Sequence, residues 1–71
     1  MNPWGLTESQ QQVLAAMIEH GTDKAVARVL GLQPQTVKTK MWHIRQRMGA
    51  STKVVAAVMW DRFTRGHLEA R

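Results

Sequence analysis

The chain has 71 residues, no cysteine and a formal net charge of +5. These numbers exclude disulfides and thiolate metal sites. They leave no apolar run near the ~18 residues of a membrane span, and a chain this short buries only about 60% of its unfolded surface, so the core must be small. The first residues, MNPWGLTESQ, carry no basic or apolar leader region, so a soluble, cytoplasmic protein with one domain over residues 1–71 is expected, its core at about 6–64.

The charge is uneven. Residues 1–20 hold Glu8 and Glu19 and no Lys or Arg. Residues 21–53 hold Lys24, Arg28, Lys38, Lys40, Arg45, Arg47 and Lys53 against Asp23 alone. A polyanion would settle on that block.

In chain order, Thr7-Glu8-Ser9-Gln10 has the form of a capping box. Val13, Leu14, Met17 and Ile18 then mark one buried face of a helix over about 8–20, and Gly21 stops it. Thr22 or Asp23 can cap a second helix, with Asp23 the expected capping carboxylate. Val26, Ala27 and Leu30 lie on its inner side, Gly31 ends it, and Leu32 plugs the core beneath the turn. Pro34 suits the first turn of a third helix over about 34–48, although Gln33 is a poor capping residue. At about 100° per residue, Val37, Met41, Ile44 and Met48 form an inner stripe. Gln35, Thr39, Trp42 and Gln46 fall at the opposite pole. Lys38 flanks that pole on one side; Thr36, His43 and Arg47 flank it on the other. Gly49 stops this helix.

Ser51 or Thr52 caps a fourth helix over about 52–65, and residues 66–71 are expected to fray. Its sequence KVVAAVMWDRF is apolar almost all round. A small core covers one side only, so the other side needs a partner, which predicts a homodimer. Val55, Met59 and Arg62 are assigned to that partner face, and Ala56, Ala57 and Trp60 to the core. Trp4 and Pro3 are expected against the first helix, and the five methionines as core filler. No stretch alternates long enough for a strand, so the fold class is all-α with four helices.

The residues Leu6-Thr7-Glu8, Val13-Leu14, Lys24 to Leu32, Thr36-Val37-Lys38 and Met48-Gly49 together resemble the LuxR-type (GerE-like) helix-turn-helix DNA-binding domain. The resemblance spans about 6–63. It implies a four-helix domain whose third helix reads the major groove of double-stranded DNA and whose fourth makes the dimer. This chain departs from the usual family residues at Gln33, Lys40 and Ala25, where Ser, His and Glu are common. With no sensor unit in these 71 residues, a stand-alone regulator or the C-terminal part of a longer one is expected, with Met1 favouring the first.

The expected DNA-binding residues follow. Lys38 can donate to guanine O6 and N7, and Thr39 can offer its methyl or hydroxyl to a base edge. Trp42 opposite the core stripe is unusual. Its ring can meet thymine methyls or sugars; alternatively it covers a neighbouring side chain or a protein partner. His43, Thr36, Lys40, Arg45 and Arg47 suit phosphates, which position without reading sequence. Thr22 and Lys24 open the second helix, where amide groups and the helix dipole attract a phosphate. The three histidines stand in separate elements and the acids are scattered, so neither an enzyme nor a cofactor or metal is expected. The rival expectation is an interaction module, pairing through its fourth helix with a full-length LuxR-type regulator or with RNA polymerase.

Overall fold

The computed structural model describes residues 2–69, side chains at 67–69 excepted. Four helices follow one another: α1 (Glu8–His20), α2 (Asp23–Leu30), α3 (Pro34–Met48) and α4 (Lys53–Glu69). Among the described residues there is no strand, and no helix is long and apolar enough to cross a membrane.

The ends of the first three helices are set locally. Thr7 accepts from the Gln10 amide at 3.1 Å while the Gln10 side chain accepts from the Thr7 amide at 2.9 Å, which satisfies two otherwise orphaned donors. Thr22 caps α2 through the Ala25 amide at 3.1 Å. Asp23, expected to cap, instead opens the helix as its first residue, because the Thr22 hydroxyl already reaches the free amide. Gly31 (φ 70°) and Gly49 (φ 69°) turn left-handed, which other residues resist. Beyond each glycine the chain folds back, Leu32 donating to the Ala27 carbonyl at 2.8 Å and Ala50 to that of Arg45 at 3.0 Å. Gln33 makes no capping bond, and Pro34 starts α3 by its fixed φ alone.

The core gathers Val13 and Leu14 of α1, Val26 of α2 and the α3 stripe of Val37, Met41, Ile44 and Met48, with Ala56 and Trp60 from α4. Leu30 and Leu32 pack against it half-buried. Among the described residues, α1 and α3 each touch all three other helices, whereas α2 and α4 do not meet. The helix-turn-helix of α2 and α3 thus leans on α1, and α4 closes the far side.

The structure corrects several expectations for α4 and its surroundings. The helix runs to Glu69 rather than 65, with Gly66 inside it; the fraying expected at 66–71 lies outside the described residues for 70 and 71. Thr52 is its cap, accepting from the Val55 amide at 3.1 Å. Met59 packs against the core instead of facing a partner, because it shares a helix side with Ala56 and Phe63. Ala57, assigned to the core, lines a surface groove with Met17, Ile18, Val54 and Val58, and Ile18 is itself exposed. Trp4 packs against the core and meets α4. Its ring lies 6.2 Å from Trp60 and, edge-on, 5.4 Å from Phe63. Asn2 fixes that approach by accepting from the Leu6 amide at 2.8 Å and donating to the Leu6 carbonyl at 3.1 Å.

Candidate nucleic-acid interface

Burying Val37, Met41, Ile44 and Met48 fixes the rotation of α3, because side chains three and four apart share one face. What must then point away is Gln35, Thr39, Trp42 and Gln46, and all four are exposed. Trp42 keeps 52% of its surface accessible, a large value for so apolar a side chain. Its indole stands edge-on to the His43 ring, with centroids 5.2 Å apart and planes at 81°.

Two shallow grooves border this ridge. On one side, Gln35, Thr36, Thr39, Lys40 and His43 line the first. On the other, a wider groove of about 490 Å³ runs from the start of α2 to the start of α4. Lys38, Trp42 and Arg45 of α3 line it, with Lys53 and Asp23 at its ends. The ridge and both grooves together present Lys38, Lys40, Arg45 and Lys53 around an aromatic ring, with Asp23 at one end.

The expected site residues do not all play equal parts. Lys38, Thr39, Trp42 and His43 are exposed on α3, and Lys24 is exposed on α2. The Thr22 hydroxyl is engaged by its own helix. Thr36 is half-buried. Lys40 leans back to α1, its Nζ donating to Ser9 Oγ at 3.1 Å. Arg45 is half-buried and donates from Nη2 to the Ser51 carbonyl at 2.7 Å, so it fastens the α3–α4 turn; its Nε is buried without a partner. Arg47 is exposed but sits toward the N-terminal segment, near Gly5. Ser51 and Thr52 join the wider groove without having been expected there, beside Lys53, which was counted in the basic block but not among the site residues. Their signal, a small hydroxyl pair before a lysine at a helix start, is indistinguishable in sequence from ordinary capping.

None of the bases in residues 21–53 has a carboxylate partner, for the ion pair among the described residues joins Arg65 to Asp61 at 3.1 Å, on α4. No group of three or more His, Cys, Asp or Glu that could hold a metal occurs among the described residues.

A cationic, polar third helix resting on a second helix across a glycine turn defines a helix-turn-helix DNA-binding domain. The family model "Bacterial regulatory proteins, luxR family" (GerE) matches residues 5–60. The chain belongs to that family, a LuxR-type DNA-binding regulator of transcription. Among curated proteins and among solved structures, nothing matches it.

Proposed function

We propose that this protein binds a specific inverted repeat of DNA as a homodimer, each α3 entering a major groove. The observation that carries this reading is the α3 ridge of Lys38, Thr39 and Trp42, standing opposite a buried stripe and bordered by bases without ion-pair partners. Lys38 donates to a guanine edge and Thr39 meets the neighbouring base. Lys24 and the first amides of α2 hold a phosphate on one side. His43, Thr36 and Arg47 hold the other strand. Lys40 and Arg45 contribute charge while their side chains brace α1 and the α3–α4 turn. The two copies join through the exposed strip of Val54, Val55, Val58 and Arg62 on α4, which sets two recognition helices about one DNA turn apart.

Binding selected from a random duplex library at low salt tests this. With about four phosphates neutralised per subunit, affinity falls with a log–log salt slope near −7. Lys38→Ala keeps the fold, loses about 1–3 kcal/mol per half-site and relaxes one base position. Selection of no preferred sequence at low salt overturns the reading.

The exposed valines of α4 favour one alternative, in which the same strip pairs with another LuxR-type regulator or with RNA polymerase. Regulation that survives Lys38→Ala and Thr39→Ala but fails in Val58→Asp selects it.

A further inference from the structure

Trp42 is unexplained by packing. The core has its own aromatic cluster in Trp4, Trp60 and Phe63, and Trp42 stands on the opposite side of α3 from the buried stripe, half exposed. The His43 ring lies edge-on beside it, with centroids 5.2 Å apart. The groove beside it carries Lys38, Arg45 and Lys53 against the single carboxylate of Asp23. A second copy of this face would bring like charges together, so the ring does not serve self-association. Its occupant must be a polyanion that presents an apolar spot. In the major groove of DNA that spot is the 5-methyl group of thymine.

We propose that Trp42 is a specificity-determining residue that recognises thymine through its methyl group, a reading that rests on the DNA-binding function above. Lys38 and Trp42 are one turn apart, about 6 Å along the helix, which is roughly two base-pair steps of 3.4 Å. The protein therefore prefers a half-site in which a guanine, held by Lys38, lies about two steps from a thymine covered by the indole.

Deoxyuridine provides the test, because it differs from thymidine by that methyl alone. The full chain first selects its site from a random duplex library at low salt. Each conserved thymine of the selected duplex is then replaced by deoxyuridine and affinity is measured by fluorescence anisotropy. One position per half-site should weaken binding about fourfold, the worth of a buried methyl group at 0.8 kcal/mol with 1.4 kcal/mol per tenfold. Trp42→Ala should bind thymidine and deoxyuridine duplexes equally, while Trp42→Phe, which keeps a flat apolar ring, should still discriminate. Circular dichroism confirms that both variants fold.

A selected site without a thymine two or three steps from the guanine overturns the proposal. So does equal binding of both duplexes by the unaltered protein, or discrimination that persists in Trp42→Ala. In those cases sequence-specific binding itself stands. Only selection of no site at all removes the DNA reading along with this one.

Discussion

The outer faces of α3 and α4 are both left uncovered by the same small core, yet the side chains they expose differ. On α3 the exposed residues are Gln35, Lys38, Thr39 and Gln46 around a single aromatic, Trp42. On α4 they include Val54 and Val58, 65% and 42% accessible, and the groove between them and α1 is lined by Met17, Ile18 and Ala57, with Lys53, Asp61, Arg62 and Arg65 also lining it. A face that stays charged and polar is already content in water and gains from a polyanion through counterion release. A face that stays aliphatic is unfavourable in water and gains from being covered. On the proposed function, one scaffold would separate the face that reads from the face that pairs, and that separation can be attacked from either side or from beneath.

The largest effect should come from beneath. Trp60 helps to fasten α4, buried in the core with its ring 6.2 Å from that of Trp4. Trp60→Ala should cost about 3–5 kcal/mol, comparable with the total stability of about 5–15 kcal/mol expected for a domain. Thermal denaturation followed by circular dichroism would show it, and DNA binding and self-association should fall together. Loss of only one of them would mean that the two faces do not share this support.

A smaller and more selective effect is expected on α4 alone. Val58→Asp leaves the buried side of the helix intact and places a carboxylate in the aliphatic strip. Burying that charge at a dimer contact should weaken association by about 3 kcal/mol, roughly a hundredfold, as read by analytical ultracentrifugation. Binding to a single half-site should persist, while binding to the full inverted repeat should lose its advantage. Equal association of the variant and the unaltered chain would remove α4 from the interface.

The same contrast explains which parts of the structure could be read from the sequence. The bounds of α1, α2 and α3 were legible because their signals are local: Thr7 with Gln10, Thr22, Pro34, and the glycines at 21, 31 and 49. The exposed side of α3 was legible because its apolar residues form one narrow stripe. On α4 no such stripe exists. Val54, Val55, Val58 and Met59 are alike in hydropathy, and the helix takes its rotation from Trp60 and Phe63 meeting Trp4, a contact distant in sequence. Hence Met59 turned inward and Val54 and Val58 outward. Gly66, expected beyond the helix end at about 65, lies within it. The engagement of Lys40 by Ser9 and of Arg45 by the Ser51 carbonyl is equally tertiary, and composition cannot anticipate it.

The smallest effect concerns the start of α3, where the exposed ridge begins. Gln33 has extended backbone (φ −82°, ψ 146°) suited to a cap, but its side chain bonds to no amide of the helix. A shorter hydroxyl at that position reaches the third amide, as Thr7 and Thr22 do. Gln33→Ser should therefore stabilise the fold by about 0.5–1 kcal/mol, raising Tm by roughly 4 °C. Because the cap ties down amides without touching Lys38, Thr39 or Trp42, half-site affinity should stay within twofold. A gain in stability accompanied by a clear loss of affinity would have a different meaning. It would place either the Gln33 amide group or the uncapped amides of α3 on the DNA, and the reading face would then extend one turn closer to the glycine hinge than the ridge from Gln35 to Gln46.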